Sequence, residues 1–289
     1  MLIIGDTHIV DEALDELELI FKEIDSYIEV DEPIVQLGDL FDKKRPSPKE
    51  IDFTTKWITH FQEKTNYITV LRGNHPTIDD KTSSVEYLQW LGISLTDELE
   101  TINLYCGHFI VNESIMNFNN TTKSIKELEK FKYVFLGHQH HPQDLGNNRY
   151  HLGSVRYTSF GELNSDKKKI ARLKGTLTTP TSLEFIELKS PIPLVEVFSI
   201  SELEDVDFSS KVRLTIKTFE QFKNDMGKVQ KWKDKFKAFK VKLDFTNNPA
   251  EVKKIDKVDN LRTVIEKWLA EINDVDVKKE LEEEFNETK

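Results

Sequence analysis

Five short polar motifs in the first half of the chain carry residue types that bind metal ions. They are GDTH, GDLFD, GNH, GH and GHQH, and they begin at Gly5, Gly38, Gly73, Gly107 and Gly137. Each motif follows a short apolar run, which predicts that it lies at the carboxyl end of a buried strand, where open α/β sheets place their ligands. The ordered set therefore predicts one shared site.

The motifs supply a set of candidate metal ligands of the imidazole, carboxylate and amide types. The candidate ligands are Asp6, His8, Asp39, Asn74, His108, His138 and His140. A set of this size, with one bridging carboxylate, suits two divalent ions about 3.5–4 Å apart. Because it contains no thiolate, it suits manganese, iron or cobalt and could also hold zinc. Such a pair of ions activates water for in-line attack on phosphorus, so the motifs predict a two-metal phosphoesterase.

The remaining histidines differ in their expected roles. His75 follows Asn74 directly, so we expect it to contact the phosphate or to protonate the leaving oxygen, as imidazoles do near neutral pH. The alternative is that it only orients its loop. His60 lies on a predicted helix surface, and His141 and His151 lack the spacing, so these three are not expected to be ligands.

Charge is distributed unevenly along the chain. The 40 basic and 51 acidic side chains give a net charge of −11, which argues against broad electrostatic binding to nucleic acid. Residues 211–246 nevertheless carry eleven basic side chains against four acidic ones, whereas residues 270–289 carry three against eight. The lysine-rich stretch is either a binding surface or a solvated helix face.

Cysteine content and apolar patterning indicate the compartment. Cys106 is the single cysteine, so an intramolecular disulfide is excluded. There is no signal-like leader and no apolar stretch near the ~20 residues of a membrane span. The sequence therefore predicts a soluble cytoplasmic protein.

Alternating apolar strands and amphipathic helices over residues 1–190 predict an α/β fold, a layered α-β-β-α sandwich. Helices are expected at 12–27, from Ser47-Pro48 onward, at 83–90 and at 124–131, and later strands at 150–152, 169–173 and 183–188. Residues 190–193, with two prolines, read as a linker. Residues 191–250 then predict a small α+β domain, with a helix at 219–235 between strands at 212–217 and 239–245.

The last segment, residues 251–289, predicts a helical hairpin. Its first helix, 261–272, has an apolar stripe within an acidic surround. Such a hairpin either docks a partner or packs on its own domain.

The motifs resemble those of the calcineurin-like metallophosphoesterase superfamily over residues 1 to about 165. Within it, the segment HLGSVRYTSFGE at 151–162 is similar to a strand and turn of the DNA-repair nucleases typified by bacterial SbcD, and GDLFD fits that family. Protein Ser/Thr phosphatases instead carry Arg-Gly after the second motif, where this chain has Lys43-Lys44.

This resemblance implies a manganese-dependent DNA exonuclease or endonuclease of double-strand-break repair and recombination, acting as a homodimer with an SMC-like ABC ATPase. It assigns one ion to Asp6, His8, Asp39 and His140, and the other to Asp39, Asn74, His108 and His138. It also assigns His75 as the residue that assists at the phosphate.

The resemblance implies surfaces as well. Candidate DNA contacts are Lys43, Lys44, Arg45 and Arg156, and residues 191–250 become a capping domain. Residues 251–289 become the ATPase-binding tail, with contacts at Leu261, Val264, Ile265, Trp268 and Leu269. Dimer pairing would use Trp57, Phe61, Tyr87 and Trp90, which single-domain core packing explains equally well.

One position departs from the family pattern. The family usually has an acid after GNH, whereas this chain has Pro76, which supplies no acceptor and fixes φ near −65°. We expect an active but slower enzyme. Two alternatives remain: a metallophosphatase or small-molecule phosphodiesterase, and a catalytically weak scaffold that brings an ATPase to DNA ends.

Overall fold

The chain divides into two compact units, Met1–Pro191 and Ile192–Lys289. The computed structural model describes residues 1–75, 77–79, 82–114, 123–162, 167–176 and 178–244. The helices are α1 (Leu14–Tyr27), α2 (Pro48–Gln62) and α3 (Phe219–Lys233). The strands are β1 (Leu2–Ile4), β2 (Ile34–Gln36), β3 (Ile68–Leu71), β4 (Thr77–Asp79), β5 (Thr82–Ser83), β6 (Ser94–Thr96), β7 (Leu99–Glu100), β8 (Leu104–His108), β9 (Tyr133–Gly137), β10 (Gln143–Gly146), β11 (Arg149–His151), β12 (Lys169–Gly175), β13 (Pro180–Glu187), β14 (Leu194–Val197), β15 (Lys211–Ile216) and β16 (Ala238–Leu243).

Two mixed sheets form the first unit. The order in one sheet is β13-β12-β1-β2-β3-β6, and in the other it is β10-β11-β9-β8-β7; β4 and β5 pair separately. The strands that precede the polar motifs run parallel: β1, β2 and β3 in the first sheet, β8 and β9 in the second. Parallel neighbours bring their carboxyl ends to one edge of each sheet, so the motifs of each sheet lie at the same edge.

Alternation along the strands separates the buried side chains into layers. Ile3 and Val35 of the first sheet pack with Phe135 of the second in one apolar cluster between the sheets. Leu2 and Ile4 point to the opposite face and pack with residues of α1 and α2. These layers confirm the predicted α/β sandwich fold.

The outer face of the second sheet differs from the expectation of a helical layer. Its Tyr105 and Val134 pack with Leu128 and Phe131. Where a helix at 124–131 is predicted, the described residues form one 3-10 turn, Ile125–Leu128. The helix predicted at 83–90 is likewise a 3-10 segment, Glu86–Leu91. Both α-helix predictions are wrong because each segment is too short to repay helix nucleation, and Gly92, at φ 79°, ends the second one.

The other two helix predictions are confirmed. The predicted 12–27 segment is α1, preceded by a 3-10 turn at Asp11–Ala13. Helix α2 begins at Pro48 behind a capping box, in which the Ser47 side chain accepts from the Glu50 backbone and Glu50 reaches back to the Ser47 backbone. Local signals of this kind are readable in sequence because both partners lie within one turn.

The second unit contains a three-stranded parallel sheet in the order β14-β15-β16. Helix α3 connects β15 to β16, as the sequence predicts, and its Phe222 and Val229 pack with Val212 and Phe239. Strand β14 was not predicted. The capping role of this unit stays a prediction, as does the boundary near residue 250, and the predicted hairpin at 251–289 lies outside the described residues.

Among the described residues, no helix combines the length and the apolar character that crossing a membrane requires.

We expect Phe21→Ala to destabilise the first unit by about 3–5 kcal/mol, the usual cost of removing a buried ring. The ring of Phe21 lies 5.6 Å from that of Phe53, 5.7 Å from that of Trp57 and 6.0 Å from that of Phe61. Leu19→Ala is the matched control, since Leu19 is 54% exposed on the same helix, and it should change stability by less than about 0.5 kcal/mol. Urea unfolding of both variants in chelator measures the difference, and equal losses would contradict this packing.

Candidate metal centre

The structure brings the predicted ligands of both sheets together at the carboxyl ends of their strands. Candidate ligand atoms lie within 4.8 Å of one another in three groups: Asp6 with His8 and His140, His8 with Asp39 and His75, and Asp39 with His108 and His138. His8 and Asp39 each belong to two groups, so the three groups are continuous. Asn74, the remaining candidate, joins the third group through its side-chain oxygen.

The backbone that carries these side chains is strained. His8, Asp39 and His138 have φ values of 46°, 46° and 74°, in the left-handed region that side chains rarely adopt. Gly38, at φ 106°, has no room for a side chain, since a Cβ would lie 2.4 Å from His108 Nδ1. Strain of this kind concentrates at functional sites, where the surrounding structure must hold it in place.

Asp39 is the central acceptor of the site. Its Oδ1 accepts from the backbone N–H groups of Asn74 at 2.9 Å and His75 at 2.8 Å. Its Oδ2 lies 3.0 Å from His108 Nε2. Asp39 thus contacts both the loop after β3 and the histidine that ends β8, which is the placement that a bridging carboxylate needs.

The third group, with Asn74, is held together by hydrogen bonds among its own ligand atoms. Asn74 Oδ1 lies 2.9 Å from His108 Nε2 and 2.6 Å from His138 Nδ1. On its other side, His108 Nδ1 lies 2.8 Å from Leu37 O. A carbonyl oxygen can only accept, so Nδ1 of His108 carries a proton and Nε2 faces the group.

Charge explains the protonation state of His108. Burial alone would lower the pKa of His108, but the carboxylates of Asp6 and Asp39 raise that pKa to about 9. The imidazolium thus offsets two buried negative charges, as a divalent cation at the same place would. Burial raises the pKa of Asp39 in turn, but the hydrogen bond and charge of His108 outweigh it and the net pKa is lowered.

The first group contains buried polar atoms without a hydrogen-bond partner. Asp6 Oδ2 accepts from the His138 N–H at 2.8 Å, whereas Asp6 Oδ1 and His8 Nε2 have no hydrogen-bond partner among the described residues. The two side chains are fully buried, and leaving such atoms unpaired is costly. A carboxylate oxygen and an imidazole nitrogen are both good ligands for a divalent transition-metal ion, so these atoms fit such an ion.

Burial also sets the protonation of the remaining ligands. It lowers the pKa of His138 to about 4 and that of His140 to about 3. Burial raises the pKa of Asp6 to about 6, with the charge of His108 opposing and that of Asp39 assisting the shift. The two histidines are therefore neutral at neutral pH, which is the form that binds a metal ion.

The predicted DNA contacts differ in position. Lys43, Lys44 and Arg45 are exposed after the second motif. Arg156 is 6% exposed, and its Nη2 donates to His8 O at 2.9 Å. Arg156 therefore supports the loop that carries His8, and a direct phosphate contact by it stays a prediction. Pro76 lies outside the described residues.

Three residues that support the motif loops were not predicted from the sequence. Gln36 is buried; its Nε2 donates to Gly38 O at 2.5 Å and Gly5 O at 3.3 Å, and its Oε1 accepts from Gly38 N at 3.0 Å. It ties the first two motif loops together, and a lone glutamine inside the apolar run IVQL was the available signal. The other two are Glu162 and Lys168, a buried ion pair beside His140.

Among the described residues, His151 lies outside the three ligand groups, and its exclusion as a ligand stays a prediction. Its ring is fully buried beneath the last motif, with Nε2 2.7 Å from Ser114 Oγ and Nδ1 3.3 Å from Gly137 O. Burial lowers the pKa of His151 from its ordinary value of 6.5 to about 4.

We expect His151 to make the metal-free protein less stable in acid. Between pH 6.5 and about 4, His151 is protonated in the unfolded chain and neutral in the folded chain. The free energy of unfolding therefore falls as the pH falls through this window. His151→Gln removes that proton, and the slope of unfolding free energy against pH should decrease by up to about 1.4 kcal/mol per pH unit. Urea titrations from pH 4.5 to 7 in chelator measure it; parallel slopes for both proteins would refute the assignment.

Comparison with known proteins agrees with this geometry. Residues 1–142, which contain all five motifs, match the protein family described as Calcineurin-like phosphoesterase. No curated protein matches the chain. The family match and the three ligand groups together support a metal-dependent phosphoesterase domain within the matched segment.

Proposed function

We propose that this protein is a manganese-dependent DNA nuclease that hydrolyses phosphodiester bonds at DNA ends during double-strand-break repair or recombination. The observation that carries the proposal is the continuity of the three ligand groups through His8 and Asp39. Two adjacent ions, rather than one, are what an in-line displacement at a phosphodiester uses.

The proposed chemistry divides between the ions and the chain. When bound, two divalent cations would supply Lewis acidity and neutralise charge on the phosphate. Asp6, His8, Asp39 and His140 would hold one ion, and Asp39, Asn74, His108 and His138 would hold the other.

His75 is proposed to handle the proton of the leaving oxygen. Its Nδ1 lies 2.7 Å from Asp42 O, and a carbonyl oxygen only accepts, so Nδ1 is the donor in that bond. Nε2 is then the nitrogen that would exchange a proton. A positioned imidazole contributes about 10²–10⁴ in rate by this route.

Exposed basic residues support a polyanionic substrate. In β16, Phe239 and Val241 are buried whereas Lys240 and Lys242 are exposed. The exposed residues Lys43 to Arg45 add positive charge directly after the second motif. With a net charge of −11 overall, we expect weak, strongly salt-dependent DNA binding by this chain alone.

We further propose that the protein acts as a homodimer with an SMC-like ABC ATPase. The ATPase contacts at Leu261, Val264, Ile265, Trp268 and Leu269 lie outside the described residues. Of the four predicted dimer residues, Trp57 and Phe61 are buried in the core of the first unit, Tyr87 is partly buried, and Trp90 is 92% exposed. Trp90 is therefore the residue through which dimer pairing is best probed. A cytoplasmic location also stays a prediction.

We expect purified protein to cleave end-labelled linear DNA with manganese, and Asp39→Ala to abolish cleavage, because Asp39 belongs to two of the three ligand groups. Product ladders from linear and circular DNA, with manganese, magnesium or chelator and with and without the ATPase partner, measure it. Hydrolysis of a small chromogenic diester without cleavage of DNA would replace the nuclease by a metallophosphatase or small-molecule phosphodiesterase. Hydrolysis of neither substrate, even with the ATPase, would leave a scaffold.

We expect His75→Gln to lower kcat by about 10² or more with a smaller effect on KM, because proton transfer occurs in the transition state. Calorimetric titration with Mn²⁺ should show both ions still bound. His60→Gln, partly buried on α2 and outside the ligand groups, is the control and should retain full activity. An unchanged kcat would remove His75 from the mechanism, and loss of one ion would make it a ligand instead.

A further inference from the structure

His140 has a hydrogen-bond partner that fixes which of its nitrogens carries a proton. Its Nδ1 lies 2.8 Å from Thr158 Oγ1. The same hydroxyl donates to Glu162 Oε1 at 2.7 Å, and the Thr158 backbone N–H donates to that oxygen at 2.8 Å. A hydroxyl has one proton to give. Because Thr158 gives it to the carboxylate, its oxygen accepts from His140, so Nδ1 of His140 carries the proton.

The carboxylate in this chain is itself immobilised. Glu162 and Lys168 form an ion pair whose side chains are 2% and 0% exposed. Lys168 Nζ also donates to His140 O at 2.9 Å and to Ser154 Oγ at 3.0 Å. Burying two charges is expensive unless hydrogen bonds satisfy both. Lys168 donates directly to the backbone carbonyl of His140, and Glu162 is connected to the ring of His140 through Thr158.

The other histidine of the GHQH motif is oriented differently. His138 directs Nδ1 at Asn74 Oδ1, at 2.6 Å, so this nitrogen faces the third ligand group. In His140 the same nitrogen is held by Thr158, which leaves Nε2 for the group with Asp6 and His8. The two histidines therefore present opposite ring nitrogens to the centre.

We propose that Thr158 is a positioning residue which, held by Glu162 and Lys168, fixes His140 as the Nδ1-protonated tautomer and leaves the lone pair of Nε2 for a divalent cation. Fixing the tautomer raises the share of molecules ready to bind the ion and orients the ring. This inference rests on the metal centre of the proposed function and adds to it three residues outside the ligand groups.

Nitrogen NMR of metal-free, ¹⁵N-histidine-labelled protein tests the tautomer directly. Long-range ¹H–¹⁵N couplings distinguish the two forms, and loss of signals in His140→Gln assigns the ring. We expect the Nδ1-protonated form in the native protein and in Thr158→Ser, which keeps the hydroxyl. Thr158→Val should populate the Nε2-protonated form. An Nε2-protonated His140 in the native protein, or an unchanged spectrum in Thr158→Val, would overturn the proposal.

Calorimetric titration with Mn²⁺ provides the second readout. Thr158→Val should weaken binding of one of the two ions by about 10–100-fold, the usual effect of losing such a partner, and Thr158→Ser should restore it. Thr54→Val is the matched control, since the buried Thr54 hydroxyl donates to Glu50 O within α2. Equal affinities for Thr158→Val and the native protein would contradict the role.

Two further outcomes are distinguishable. If Thr158→Val fails to fold, Glu162→Gln tests the same chain of hydrogen bonds by weakening the acceptor of the Thr158 proton, and it should shift the tautomer in the same direction. If the native protein binds no Mn²⁺, the proposed function fails, while the NMR experiment still decides whether Thr158 sets the tautomer of His140.

Discussion

The structure depends on keeping two carboxylates out of water at one point. Asp6 and Asp39 are 0% and 1% exposed, and each raises the cost of ionising the other. Backbone N–H groups that donate to both side chains, and the charged imidazole of His108, stabilise the two carboxylates. A site that gathers this much negative charge is stable only with a positive charge at its centre, and divalent ions are the strongest such charges.

This constraint explains the backbone of the site. The strands end at a shared edge, but their ends alone would not bring His8, Asp39 and His138 to one point. Each of these residues adopts a left-handed conformation, and the rigid sandwich behind the site holds the strained backbone in place. Gln36 and Arg156 serve the same purpose, because both use buried side chains to hold motif backbones in place. The apolar layers are therefore a support for a charged and strained surface.

The elements of this arrangement that depend on short stretches of sequence could be predicted. The strands β1, β2 and β3 follow from short apolar runs before glycine, and α2 follows from Ser47-Pro48. Strand β14 and the 3-10 segments depend on tertiary packing and were missed or misassigned. Lys168 shows the limit most clearly: a lysine read from sequence is expected at the surface, and only the contacts with Glu162 and His140 reveal a fully buried one. That these side chains gather at one edge could be predicted from the motifs, whereas the residues that hold them in place could not.

The difference between the ligand groups and the residues outside them also matters for the choice of substrate. The ligand groups suit phosphate ester hydrolysis in general, so the proposed selection of DNA would have to come from residues outside them. Arg156 lies in the turn that resembles DNA-repair nucleases, yet its guanidinium is used inside the protein. Exposed basic residues are the remaining candidates for the proposed DNA contacts, Lys43 to Arg45 in the first unit and, separately, the lysines of β16 in the second. Specificity that resides in such exposed charges is sensitive to salt, whereas the buried centre is not. Raising the salt concentration should accordingly separate binding of DNA from hydrolysis of a small diester.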